Sequence, residues 1–261
     1  MTGLDRIAAV FAAKKTAFMP YAPLGYPTIE GSLAVVRALV AGGADLIEIG
    51  VPFSDPLADG PTIQAATQQA LENGISLTQC LAMIEQLRAE GISTPFLLMG
   101  YLNPFLAFGL DRLGPAAAAA GVDGFIVPDL PPEEAAEFDA MCEQHSHALI
   151  YFLAPTSTPA RIKLVAQKAR GFIYLLALTG VTGARDSLSD SLPDFVGRVR
   201  AETDTPLAVG FGIGDGAQAK AVGQYADGVI VGSALVKQAG QSPQAVQTLA
   251  AEIAAGLKST F

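Results

Sequence analysis

The chain is short of cysteine, positive charge, long apolar runs and strand-borne lysine, and each shortage closes off a class of function. Only two cysteines, Cys80 and Cys142, occur in 261 residues, far apart and with no CxxC spacing. That pattern excludes a disulfide framework and a cysteine zinc site, and it suits a reducing compartment. Lys and Arg total 16 against 25 Asp and Glu, a formal net charge of −9. Such a surface repels nucleic acid and anionic membranes, so neither is an expected partner. Every apolar stretch is broken at strand length by Gly, Pro or a charge, which leaves no candidate membrane span. The opening residues, MTGLDRIAAVFAAKKTAF, place Leu4, Ile7, Ala8 and Phe11 at helical spacing and carry no continuous apolar core. They predict an amphipathic helix over 3–13 and not a signal peptide, so the expected location is cytoplasmic. No Lys stands in the strand cores for Schiff-base work, and the only two histidines, His145 and His147, fall in a polar stretch at a helix end. No metal site is visible.

What the chain does have is a large apolar interior: 51% of residues are hydrophobic and 16% charged. Short β-rich runs cover 17–25, 45–51, 96–101, 124–130, 148–155, 172–180, 206–212 and 228–234. Ala-rich amphipathic segments lie between them, each ending near Gly or a polar cluster. Near-continuous apolar strands alternating with helices predict a parallel sheet covered on its outer face. Eight such units in this length predict an α/β fold with one domain over 1–261, a closed (β/α)8 TIM barrel, its N-terminal end plugged by the extra helix at 3–13. An open doubly wound sheet is the alternative, since strand count alone does not establish closure.

In a barrel, chemistry gathers at the C-terminal ends of the strands and in the loops beyond them. The segment GADLIEIGVPFSDPLADGP (43–61) sets Glu48 in an otherwise apolar strand. Strand alternation puts Leu46, Glu48 and Gly50 on one face and Ile47, Ile49 and Val51 on the other. The branched set suits the helix side, so Glu48 is expected to face the barrel interior with a raised pKa, ready for acid–base work. An interior charge paired with a cation is the competing reading. Asp59 stands in Asp-Gly-Pro, where an Asx-turn or helix cap is the favoured reading, and Asp55 before Pro56 reads the same way more strongly. Asp129, just past strand 4, reads as a loop or cap residue ahead of a helix beginning near Pro132.

Glycine supplies the next signal. VGFGIGDG after strand 7 and VGS after strand 8 each precede a helix, where backbone N–H groups can approach an anion closely. The pair, in these two loops, points to a phosphorylated ligand. LTGVTGARDS (178–187) reads as a mobile segment whose Thr182 and Gly183 reach the ligand. Tyr21, Met99, Tyr101, Phe152, Tyr174 and Phe211 cluster at strand ends; singly each reads as core, together they line a slot for a flat apolar group.

LIEIGVPFSDPLADGPTIQ (46–64), MGYLNPF (99–105), GVDGFIVPDLPPEE (121–134), TGVTGAR (179–185), VGFGI (209–213) and GVIVGSALV (228–236) together resemble, in order and over the whole chain, the tryptophan synthase alpha chain family. The resemblance implies a lyase that cleaves indole-3-glycerol phosphate to indole and glyceraldehyde 3-phosphate. It implies Glu48 and Asp59 as the catalytic pair, which moves Asp59 from turn residue to catalyst. It places phosphate on Gly183, Gly212, Ile213, Gly232 and Ser233, with Tyr174 fixing the ligand and Thr182 closing over Asp59. Tyr21, Phe152 and Phe211 then face indole. It further implies a beta-chain partner that carries pyridoxal phosphate, in an alpha2beta2 heterotetramer, contacted near Pro52, Asp55 and Asn103, with no cofactor in this chain. Many relatives carry Arg where this chain has Leu178. A stand-alone lyase, or a subunit that mainly activates its partner, shares the same motifs.

Overall fold

The computed structural model describes residues 1–13, 15–176, 192–210 and 212–258. Among them, eight parallel strands pair in chain order: β1 (Ala17–Pro23), β2 (Ile47–Gly50), β3 (Phe96–Met99), β4 (Gly124–Ile126), β5 (Ala148–Leu153), β6 (Ile173–Leu176), β7 (Leu207–Gly210) and β8 (Gly228–Val231). β1 pairs with both β2 and β8, so the sheet closes and the open doubly wound alternative is excluded. Each strand lies inside its expected run; residues 177–180 of the sixth run fall outside the described residues.

Helix α1 (Gly3–Ala12) precedes β1 and α2 (Ile29–Ala41) follows it. Two helices follow β2, α3 (Pro61–Glu72) and α4 (Leu77–Ala89), and two follow β3, α5 (Leu102–Phe108) and α6 (Leu110–Ala120). Then come α7 (Ala136–His145), α8 (Pro159–Lys168), α9 (Leu192–Arg200), α10 (Gly216–Gly223), α11 (Ser233–Ala239) and α12 (Pro243–Lys258). The doubled helices after β2, β3 and β8 depart from a simple one-helix-per-strand alternation. The starts follow local chemistry: Thr28, Ser76, Thr158 and Asp215 cap α2, α4, α8 and α10 with side-chain oxygens, and Pro61 opens α3. Helix α7 begins at Ala136 and not near Pro132, because Glu134 N–H bonds Pro131 O (3.0 Å) and holds that segment as a turn.

Side-chain alternation splits the core into two shells. Ile47, Ile49, Leu98, Phe125, Tyr151, Ile173 and Val209 face outward into the layer shared with the helices. Met19, Leu46, Leu97, Ile126, Ile150, Phe172 and Ala208 fill the interior. Ile7 of α1 joins this inner cluster, with Leu4, Val10 and Phe11 packed against it, so α1 closes the N-terminal end as expected.

That end is pinned by a buried acid. Asp123, just before β4, accepts from Arg6 Nε of α1 (2.5 Å), Arg88 Nη2 of α4 (2.6 Å) and the Phe96 backbone N–H (2.7 Å). Its side chain is fully buried, yet every contact is charge-assisted or a backbone donor. Removing it leaves the Arg6 and Arg88 guanidinium groups with backbone carbonyl partners but no carboxylate among the described residues. Asp123→Ala is therefore expected to lower stability by about 3 kcal/mol, read as a shift in the urea unfolding midpoint with the slope unchanged.

Candidate active site

Glu48 lies on β2 with Tyr21 of β1 and Leu97 of β3 as its cross-strand neighbours. It is 1% exposed, belongs to neither the outer layer nor an ion pair among the described residues, and its Oε1 has no hydrogen-bond partner. Burial in this apolar setting pushes its carboxyl up to about 8. The side chain projects into the barrel, where Tyr174 of β6 and Tyr21 both feel its charge.

Asp59 sits in the loop between β2 and α3. Its backbone N–H bonds Pro56 O (3.1 Å), closing a turn over 56–59 just ahead of Asp-Gly-Pro. Its carboxylate does not cap α3: Gly60 holds the cap position without a side-chain bond, and Pro61 needs no donor partner. The carboxylate is hydrogen-bonded to the Tyr101 hydroxyl, which also accepts from Ala58 N–H (2.9 Å). Burial raises Asp59 to about 6, with the Tyr101 bond pulling the other way. Gln64 Nε2 donates to the Asp59 carbonyl (2.9 Å) and fixes the loop from α3. Tyr21 and Tyr174 feel Asp59 as well as Glu48, so both acids open onto one cavity mouth.

Two glycines make the tyrosines fit. A Cβ at Gly50 would stand 2.2 Å from the Tyr21 hydroxyl, and one at Gly210 would stand 2.5 Å from the Tyr174 ring. Phe152 packs on Tyr174 with ring centroids 4.7 Å apart, giving the slot one aromatic wall. Tyr101 belongs less to the slot than to Asp59, and it packs beside Phe53 at 5.5 Å. Tyr21 has beside its hydroxyl Thr67, a polar residue on the buried face of α3. The sequence reading missed both partnerships. Thr67 did leave a signal, a hydroxyl on the inward stripe of a helix that also buries Ala66 and Ala70.

The two glycine loops differ. Asp215 caps α10 by accepting from Gln218 N–H (2.8 Å), and Gln218 Oε1 in turn takes Gly214 N–H (2.7 Å). At the start of the helix after β7, side chains thus take the N–H groups of Gly214 and Gln218, and Gly216 N–H donates to Glu252 Oε1 (3.1 Å). Gly212 is exposed, with none of the described residues within 4 Å of where its Cβ would stand, and Ile213 is buried. Gly232 precedes α11 with no side-chain cap, and Ser233 is exposed beside it. Thr182, Gly183, Phe211 and Leu178 lie outside the described residues.

Pro52 is buried, while Asp55 is exposed on the loop after β2 and Asn103 on α5, just after β3. Asp129 has a capping role, but not for the helix after its own strand: its Oδ1 accepts from Leu102 N–H (2.9 Å), the first residue of α5. His147 is buried beside Phe125, away from the strand tops. Among the described residues no group of three or more metal-type side chains converges, and no helix is long and apolar enough to cross a membrane.

A closed parallel barrel with one acid protonated and a second ionised at neutral pH, both at one mouth, has the make-up of a barrel enzyme working by proton transfer. The family profile for tryptophan synthase alpha chain matches residues 7–260. The alpha chain from Roseiflexus sp. (strain RS-1) is 52% identical over 92% of this chain and 94% of its own length. That from Nocardia farcinica is 43% identical over 99% and 98%. A solved Mycobacterium tuberculosis tryptophan synthase superposes with a TM-score of 0.91 at 43% identity, covering 97% of this chain and 98% of that one. The chain belongs to the tryptophan synthase alpha chain family, lyases that cleave indole-3-glycerol phosphate and work with a beta chain.

Tyr101→Phe removes the hydroxyl that holds Asp59. The Asp59 carboxyl is then expected to titrate above 6, and the acid limb of the kcat/KM profile for indole release should move to higher pH with it.

Proposed function

We propose that Glu48 and Asp59 perform the cleavage of indole-3-glycerol phosphate to indole and glyceraldehyde 3-phosphate, Glu48 as proton donor and acceptor, Asp59 as the fixed anion. The bond to indole C3 cannot break while C3 belongs to an aromatic ring. Protonated Glu48 delivers its proton to C3, giving an indolenine whose ring nitrogen carries the developing positive charge. Asp59 accepts a hydrogen bond from that N–H and stabilises the charge. The Glu48 carboxylate then takes the proton of the glycerol hydroxyl next to C3. The C–C bond breaks, its electrons restore the indole ring, and the hydroxyl carbon leaves as the aldehyde. Glu48 ends protonated, as it began. The observation that carries this reading is the buried carboxyl of Glu48, with no cation and no partner for one oxygen among the described residues, raised to about 8 and so largely protonated at neutral pH.

The phosphate is held by the backbone of Gly212 and Ile213 and by Gly232 and Ser233 at the uncapped start of α11, joined by Gly183. Tyr174 fixes the ligand, and Thr182 closes over Asp59. Tyr21, Phe152 and Phe211 face the indole. These steps need no cofactor in this chain; pyridoxal phosphate belongs to the beta chain. The pairing is an alpha2beta2 heterotetramer in the cytoplasm, a location that suits a biosynthetic lyase with two buried free thiols. Leu57 (77% exposed) stands out from the loop that carries Asp55 and Leu106 (51%) from α5, which carries Asn103, and such apolar exposure supports a docking face there.

Glu48→Gln is expected to abolish indole formation, a loss of about 10³-fold or more, while leaving thermal unfolding at or above the wild-type temperature. The kcat/KM profile of the wild type should be bell-shaped: activity falls below about 6 as Asp59 gains a proton and above about 8 as Glu48 loses one. Rates measured with and without added beta chain separate a partnered subunit, which is strongly stimulated, from a stand-alone lyase. Leu57→Arg should weaken association with the beta chain by about tenfold in analytical ultracentrifugation, with the fold unchanged.

A further inference from the structure

Tyr21 occupies an unusual position relative to Glu48. The two residues are register partners on β1 and β2, and both face the barrel interior. Gly50 lies on the same face of β2 as Glu48, one step nearer the mouth. The space a side chain at 50 would fill is taken by the phenol end of Tyr21, its hydroxyl 2.2 Å from where that Cβ would stand. The ring is clamped by Ala66 of α3 and Val236 of α11, with Ile63 and Met99 against it. Thr67, 3% exposed, lies beside the hydroxyl. Tyr21 itself is 6% exposed.

We infer that Tyr21 is a positioning residue that roofs Glu48: seated over Gly50 and clamped by Ala66 and Val236, its ring bars water from the carboxyl on this side and leaves the opposite side, toward Phe152 and Tyr174, as the approach for indole. The inference rests on the acid role proposed for Glu48 and adds a physical cause for it. Desolvation alone accounts for the raised Glu48 titration. The titratable groups facing Glu48 are Tyr21 on β1, Tyr174 on β6 and Asp59 in the loop after β2, with Tyr101 beside Asp59; among the described residues none is a cation. Strand neighbours Leu46 and Leu97 dry the carboxyl from below and from the β3 side. On the mouth side, among the described residues, the cover comes from Tyr21, which reaches across from β1.

The test follows the Glu48 carboxyl directly, by carbon-13 NMR of the full-length chain labelled at glutamate, the signal assigned by its loss in Glu48→Gln. Tyr21→Phe keeps the ring and is expected to leave the titration near the wild-type value of about 8. Tyr21→Ala opens the roof and is expected to lower it by at least about one unit, tenfold in proton affinity, with the basic limb of kcat/KM moving by the same amount. If Tyr21→Ala leaves the titration in place, or Tyr21→Phe lowers it as far as Ala does, the roof is refuted. Should Tyr21→Ala not fold, Tyr21→Leu, which cannot span to Gly50 and Thr67, is read by the same criterion. A carboxyl titration that moves while the rate limb stays fixed upholds the roof and instead removes Glu48 from the acid role.

Discussion

The burial of one carboxyl with no counter-charge among the described residues is the constraint around which the mouth of this barrel is organised. A buried acid has two stable fates: it finds a cation, or it keeps its proton. Glu48 takes the second. Closure of the sheet supplies the dry interior, strand alternation aims the side chain into it, and the glycines at 50 and 210 admit tyrosines where larger residues would fill the space. A lysine or arginine in any neighbouring interior position would collapse the arrangement into an ion pair and remove the proton the chemistry requires.

The opposite end of the same barrel shows the first fate. Asp123 is as deeply buried, yet Arg6, Arg88 and a backbone N–H surround it, and its role is to bind α1 and α4 to the sheet. The two acids sit in one fold and differ only in their company. Pairing spends a charge on cohesion; isolation keeps it available for reaction. The division matches the general polarity of parallel barrels, with cohesion at the N-terminal face and chemistry at the C-terminal one.

Much of this was legible in the residues because it follows from periodicity. A run such as DLIEIGV states its own facing, and the eight-fold alternation of strand and helix places its upper end. Closure was not legible, since β1 must pair with β8 across more than two hundred residues and no local pattern records that contact. The turn after strand 4 was misjudged because Pro132 opens a turn as readily as a helix. Asp129 and Asp215 illustrate a deeper limit: both are polar residues next to glycine or proline, and only the coordinates tell which helix each one serves. Tyr101 and Thr67 escaped for the same reason, since the partner of a hydroxyl lies across space and leaves no mark on spacing.

Asp129 belongs to the loop after β4, yet its carboxylate anchors the first turn of α5, which follows β3. The stitch runs backward along the chain and fastens two successive loops into one piece. The surface carrying Asn103 and Leu106 is thus not a module of its own. Transplanted into another barrel, it would keep its shape only if the neighbouring loop travelled with it, so the unit of inheritance on this rim is a pair of adjacent crossovers.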